Sequence, residues 1–352
     1  MRKNNIKLKI SGLKTFVFFP ITILTVCVCF LKAPPLSAEV IQTNPLYKPL
    51  TISNDILETI LNLNQNNKGF IPVSFRNSLE GRWPKTEENF FQDNGILAAE
   101  DNFNKYCART SNLKNENTSN YSIPPVIHLI WLGSTPPSRV DLVIESWKRH
   151  HPSWKIKLWT DKDIENFSWT CPRSKNFYEK SGNWAEKSDI LRFEILYQFG
   201  GIYSDTDVIC LKSFEDLISS KITFFAGLES NKVKRFGRPL VGSAIIGAKK
   251  NSAIVKDCID FSQTLEEAPT IRQYIRSGPG PITKASYKAL KNINNENIII
   301  FPCSYFYPMH WEARLSSAED IIEYIRPESF AIHLWEGSWF DSFPPPQKKD
   351  KK

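Results

Sequence analysis

The sequence predicts an α/β fold, and three observations predict it. From Ile123 a strand-like VIHLIWLG precedes a helix-like RVDLVIESWKRHHP and a strand-like WKIKLWT, a β-α-β order. NWAEKSDILRFEILYQFGG then reads as a helix, with Ile190, Leu191, Ile195, Leu196 and Phe199 near helical spacing and Gly200 placed to end it. The following IYSDTDVICL reads as a buried strand, yet it carries Asp205 and Asp207 one residue apart. With 352 residues, 41% of them hydrophobic, the chain is long enough for one large α/β domain and an accessory segment.

The elements before that domain follow in order. Residues 1–14 form a basic tail, and residues 15–31 hold the largely apolar run FVFFPITILTVCVCFL, from Phe16 to Leu31, ahead of KAPPLSAEV. This is the pattern of a membrane-targeting segment, and a signal anchor competes with a peptide cleaved after Ala38. Arg2, Lys3, Lys7, Lys9 and Lys14 precede the run and outweigh the single Lys32 directly after it, so the orientation it implies is type II. Residues 32–122 read as a stem with helical pieces such as SNDILETILNLNQNN, closing in the polar linker SNLKNENTSN. The main domain is placed at 123–342 and a second basic tail at 343–352.

Charge excludes one class of partner. The net +8 is carried by residues 1–14 and the closing QKKDKK, which leaves residues 15–346 neutral in sum and gives no basic groove for nucleic acid. Of seven cysteines, Cys27 and Cys29 lie in the apolar run, and the remaining five show no CxxC or Cys/His metal spacing. Sequons at Asn117, Asn120 and Asn166 permit glycosylation in a secretory lumen.

The chemistry concentrates in the third stretch. On a strand, alternation at period two would put Asp205 and Asp207 on one face with Thr206 opposite. Two carboxylates that close repel and resist desolvation unless a cation joins them, and Mn²⁺ or Mg²⁺ with hard oxygen ligands would leave positions open for a diphosphate. The competing reading puts DTD in a turn with both aspartates solvated or capping. Its place after a Gly-Gly turn, at the end of a hydrophobic strand where open α/β sheets bind ligands, favours the site.

SDILRFEILYQFGGIYSDTDV closely resembles the signature of the DXD-containing glycosyltransferase sugar-binding family, with further resemblance in IPPVIHLIWLG, SGPGPIT, FYPMHW and AIHLWEGSW. The resemblance covers about residues 123–340. It implies a GT-A type nucleotide-sugar-binding domain with a mixed central sheet, a divalent metal and a retaining transfer of sugar. By the same resemblance, Trp131 would stack on the donor base, Asp189 and Arg192 would contact donor sugar and ribose, Asp205 would touch ribose or sugar hydroxyls, and Asp207 would ligate the metal. His333 is the candidate third ligand, with Glu336 and Ser338 as rivals and with Trp335 and Trp339 flanking it. Gly278, Pro279 and Gly280 would form a tight turn near the acceptor.

Each assignment has a plainer alternative. Trp131 could be a core residue, Asp189 and Arg192 an ordinary i,i+3 salt bridge, and His333 a structural histidine. Two positions depart from the family: Ser204 stands where many members have Leu, and Ser243 in VGSAIIGA where Asn is frequent, which leaves the acceptor-side contact in doubt.

The implied donor is a UDP-sugar, with GDP-mannose as the other choice, and the acceptor a glycan, glycolipid or protein. In a eukaryote the expected place is the Golgi lumen. In a bacterium the protein would be membrane-attached or secreted, with an exported, host-directed transferase as the alternative function. A non-catalytic glycan binder and a metal-dependent phosphodiesterase are the competing classes.

Overall fold

The computed structural model describes residues 53–63, 69–76, 78, 94–112, 121–218, 221–229, 240–265, 277–291 and 297–337. The apolar run at 16–31 lies outside them, as do Asn117, Asn120, Ser338, Trp339 and both basic tails. Among the described residues no helix is long and apolar enough to cross a membrane.

Two helices come first, α1 (Asn54–Leu61) and α2 (Asn94–Asn112). The β-α-β unit follows as β1 (Val126–Ile130), α3 (Ser138–His150) and β2 (Lys155–Trp159). Next come the short α4 (Asp161–Ile164), α5 (Pro172–Lys180), α6 (Trp184–Phe199), β3 (Gly201–Ser204) and β4 (Val208–Cys210). The chain continues through α7 (Glu215–Ile218), β5 (Phe224–Leu228), β6 (Val241–Ala248), α8 (Ala253–Leu265), α9 (Pro279–Leu290), β7 (Ile298–Phe301), α10 (Ala318–Ile322) and β8 (Ala331–His333).

The central sheet is mixed, as expected, with strand order β2-β1-β3-β6-β5-β7. β1 pairs in parallel with β2 and β3, β6 runs antiparallel to β3 and β5, and β7 returns parallel to β5. Strands β3, β5 and β6 are buried along their whole length, which explains why IYS, FFAGL and VGSAIIGA read as apolar runs rather than alternating ones.

α6 owes its length to its ends. Asn183 caps it by accepting from the N–H groups of Ala185 (2.8 Å) and Glu186 (3.1 Å). Gly200 stops it at φ 65° and Gly201 follows at φ 101°, a region that side chains strain to occupy. Space demands glycine there too, because a Cβ on Gly201 would stand 2.6 Å from the Val126 side chain. Between its ends the helix buries Ile190, Leu191 and Phe193 together with Asp189, Arg192 and Glu194, so it is enclosed on most sides.

Two findings differ from the sequence reading. The run IYSDTDVICL is not one strand: β3 ends at Ser204, residues 205–207 turn, and β4 leaves the main sheet to pair antiparallel with β8. Ser204 is buried there and donates to the Asp205 carbonyl at 3.0 Å. The segment read as a stem also contributes to the core. Leu57, Ile60, Ile96, Phe103 and Tyr106 are buried in the same cluster as the sheet, Tyr305 donates to the Ile71 carbonyl at 2.6 Å, and Asn102 donates to the Ile298 carbonyl at 3.1 Å. No disulfide joins cysteines 107, 171, 210, 258 and 303 to one another, and Asn166 is exposed.

Candidate active site

The turn at 205–207 is built from both sheets. Asp205 N–H donates to the Ala244 carbonyl of β6 at 2.9 Å, and Leu334 N–H donates to the Asp207 carbonyl at 2.9 Å, one step beyond the Val208–His333 pairing of β4 with β8. The convergence expected from strand alternation is thus reached through a turn and a second strand. Asp205, Asp207 and His333 bring one ligand atom each within 4.8 Å of the others.

These three side chains are mutually polarised. His333 Nε2 lies 3.2 Å from Asp207 Oδ1 and 4.0 Å from Asp205 Oδ2, with its ring 4.1 Å from that of Trp335. Burial alone would raise the Asp207 carboxyl, but His333 and the Glu336 N–H outweigh it and hold the carboxyl below its ordinary range. Burial would likewise lower His333, and Asp207, assisted by Asp205, holds it above. Two carboxylates and an imidazole suit Mn²⁺ or a similar divalent ion, so this donor set fits the metal that the family implies.

Arg192 sits beside this group, 4% exposed, and links three elements. It pairs with Asp189 on its own helix and with Asp205 at 3.3 Å, and it donates to the Ser243 carbonyl at 2.6 Å. Its guanidinium carbon lies 4.5 Å from the centre of the Tyr203 ring, and the Tyr203 hydroxyl donates to Asp205 at 2.6 Å. Asp189 is closed from the far side by Ser277, whose hydroxyl donates to it at 2.9 Å. Burial pushes the Asp189 carboxyl up to about 7 despite the pull of Arg192. An isolated i,i+3 pair would not reach two further elements.

The GPG stretch approaches at the same point. Gly278 packs so closely that a Cβ there would be 2.9 Å from Asp189 Oδ2. Rather than forming a free-standing tight turn, it caps α9, which begins at Pro279.

The segment after β8 forms a strap over the turn. Trp335 takes φ 58° and Gly337 φ 75°, and Arg314 donates to the carbonyls of Trp335 and Glu336, both at 3.0 Å. The Glu336 carboxylate pairs with Arg139 through both oxygens, while its N–H donates to Asp207 at 2.9 Å. This rival ligand is therefore occupied by an arginine. The Arg139 guanidinium also lies 4.9 Å from the Trp131 ring centre, and Trp131 is only partly buried, its indole N–H donating to Ser134 at 3.2 Å.

Arg139, Arg314, Tyr203, Tyr307 and Glu229 complete the surroundings, and sequence reasoning did not select them. Glu229 carried the same cue as the DTD pair, a charge directly after the apolar strand FFAGL. Arg139 carried none, because it meets Glu336 only through the fold.

Residues 137–223 match the family model described as a glycosyltransferase sugar-binding region containing a DXD motif, a span that includes Asp189, Arg192, Asp205 and Asp207. This part of the chain is similar to that family's sugar-binding region. Trp131 and His333 lie outside the matched span. Inositol phosphoceramide mannosyltransferase 1 of Schizosaccharomyces pombe is 39% identical over 110 residues, which is 29% of this chain and 33% of that protein. A toxin of Photorhabdus asymbiotica is 25% identical over 323 residues, covering 75% of this chain and 10% of the toxin. Among solved structures, the catalytic domain of alpha-toxin from Clostridium novyi superposes with a TM-score of 0.43 at 12% identity, covering 90% of this chain and 96% of that one. The matched regions thus span a third or less of the two relatives.

Proposed function

We propose that the protein is a metal-dependent glycosyltransferase that moves a hexose or N-acetylhexosamine from a nucleotide-sugar donor to a hydroxyl of a glycan, glycolipid or protein. The observation that carries this reading is the convergence of His333, within 4.8 Å, on Asp205 and Asp207 of the matched DXD sugar-binding region, against the Asp189–Arg192 pair. Asp205, Asp207 and His333 would hold the cation. A divalent ion there supplies positive charge for the departing diphosphate. Arg192 adds a fixed guanidinium whose Nε–H has no partner among the described residues, and Asp189 holds its orientation. Trp131 offers an aromatic face for the base, with Arg139 beside it.

Retention of configuration, with the acceptor hydroxyl attacking on the face that the diphosphate leaves, belongs to the same proposal. So do a catalytic domain at 123–342, with helices α1 and α2 packed onto its core, and a type II anchor at 16–31 that would place it in a Golgi lumen. The names of the fission-yeast relatives make a mannosyl donor and an inositol phosphoceramide acceptor the first pair to test.

Metal and nucleotide must then bind synergistically, because two carboxylates facing a diphosphate without a cation repel it. Calorimetry on the full chain with UDP and with GDP, each in Mn²⁺, Mg²⁺ and chelator, measures this linkage and the choice of base together. Equal affinity for both nucleotides in all three conditions would remove the metal, and with it the reading of the DTD turn.

A further inference from the structure

Among the described residues, Glu229 is a carboxylate at this edge of the sheet that the proposed donor and metal contacts do not use. It directly follows β5, and its N–H donates to the Leu240 carbonyl at 2.9 Å, extending the Leu228–Val241 pairing of β5 with β6 by one rung. The same end of β6 gives the Ser243 carbonyl to Arg192 and the Ala244 carbonyl to Asp205. Glu229 therefore leaves the sheet where the site is assembled. Tyr307 joins the two regions: its ring occupies the space a Cβ on Gly242 would need, and it stands 5.8 Å from the His333 ring.

Partners distinguish Glu229 from its neighbours. Asp189 has Arg192 and Ser277, Asp205 has Tyr203 and Arg192, and Asp207 has His333 and the Glu336 N–H. The Glu229 carboxylate is partly buried and has no hydrogen bond or ion pair to a described residue. Burial pushes it up to about 7, with His333 opposing and Asp205 and Asp189 adding to the rise, so it shares the electrostatic field of the site. A carboxylate with no partner among the described residues, beside other carboxylates, costs stability, and such groups concentrate where a substrate supplies a partner.

We propose that Glu229 is a catalytic residue on the acceptor side: it receives the hydrogen bond, and during transfer the proton, of the attacking hydroxyl. This rests on the transferase reading. In the step, the acceptor oxygen bonds to the anomeric carbon, the bond from that carbon to the phosphate oxygen breaks with its electron pair going to the nucleoside diphosphate, and the hydroxyl proton passes to Glu229. Nothing in it requires contact of Glu229 with the nucleotide. Donor recognition and acceptor activation are thereby assigned to different residues of one site.

Water serves as the probe acceptor, with UDP-glucose and GDP-mannose as donors and Mn²⁺ present. Glu229→Gln keeps the shape of the side chain and removes the base, so donor hydrolysis is expected to fall about 100-fold or more while Mn²⁺-dependent UDP or GDP affinity stays within about threefold. Glu229→Asp should recover part of the rate, and the acid limb of the parent's pH–rate profile should be missing from Glu229→Gln. Hydrolysis by Glu229→Gln at the parent rate, in a parent that binds nucleotide and hydrolyses donor, overturns the role of Glu229 alone. Loss of nucleotide affinity in Glu229→Gln overturns it as well, by moving the residue to the donor side. A parent that neither binds nucleotide nor hydrolyses donor takes down the transferase reading and this role together.

Discussion

The main-chain N–H of Glu336 donates to the Asp207 carboxylate across 2.9 Å, tying the DTD turn to the strap that follows β8. Arg139 holds the Glu336 carboxylate and Arg314 holds the carbonyls of Trp335 and Glu336, so the strap is pinned from both sides of residue 207. Asp207 consequently has a structural task beside its proposed role as a ligand. Its side chain is 13% exposed.

Substitution at Asp207 should therefore separate stability from binding. Asp207→Asn keeps an acceptor for the Glu336 N–H, whereas Asp207→Ala leaves that donor and His333 without a partner, at a cost of about 1–3 kcal/mol. Both variants should lose Mn²⁺-dependent nucleotide binding, and only the alanine variant should melt clearly earlier. Thermal unfolding and calorimetry on the two proteins check this. Nucleotide binding that still responds to Mn²⁺ in both would remove Asp207 from the cation site.

The Arg139–Glu336 pair should behave as a strap fastener. Its side chains are 13% and 10% exposed, and the guanidinium meets the carboxylate through two nitrogens, so the exposed-pair estimate of under about 1 kcal/mol is too low. A double-mutant cycle with Arg139→Met and Glu336→Gln should give a coupling of roughly 1–3 kcal/mol in unfolding free energy. Arg139→Met should also weaken nucleotide binding, because the same guanidinium stands over Trp131. Additive single effects would mean that the strap is held by Arg314 and the main-chain bonds alone.

These two arginines mark the limit of what could be read in advance. Helix α6, its glycine stop and the Asp189–Arg192 spacing are local features, and their residues lie within about twenty positions of the DTD turn. His333 was reachable because it shares a short apolar strand with a recognisable AIHLWEGSW. The path of residues 205–207 was not, since period-two alternation cannot say that a chain changes sheets after Ser204, a choice made by pairing of β4 with distant β8. Arg139, Arg314 and Glu229 matter through contacts with residues at least 20 positions away, which no spacing rule encodes.

Replacing Arg192 by lysine should impair transfer although the charge is kept. One ammonium cannot hold Asp189, Asp205 and the Ser243 carbonyl together, and it cannot present a flat face to Tyr203 at 4.5 Å. Turnover is expected to drop at least about tenfold, with a loss of roughly 1–3 kcal/mol in stability from the vacated carbonyl and carboxylate. Steady-state donor hydrolysis, normalised to folded protein by circular dichroism, reads the two effects apart. Full turnover in a destabilised protein would reduce the residue to a structural salt bridge.

Acid should destabilise the fold through two buried histidines before Asp207, whose carboxyl is held below its ordinary range, takes up a proton. His128 accepts the Trp159 indole N–H at Nδ1, 3.1 Å away, so its proton sits on Nε2 and is donated to the Gly200 carbonyl at 2.9 Å, under the glycine turn that leads into β3. His151 is held similarly, accepting from the Phe214 N–H at 2.8 Å and donating to the Trp147 carbonyl at 3.0 Å. Burial lowers each from the ordinary 6.5 to about 4. Between those values the unfolded chain binds protons that the fold refuses, so stability falls as pH drops from 6.5 towards 4, and His128 alone accounts for about 3 kcal/mol over the full window. His128→Gln should be less stable than the parent at pH 7.5, and the gap should close by about 2 kcal/mol or more by pH 4.5, because glutamine has no such proton to refuse. Urea unfolding across that range measures the difference, and two parallel stability curves would show that His128 does not enter the acid transition.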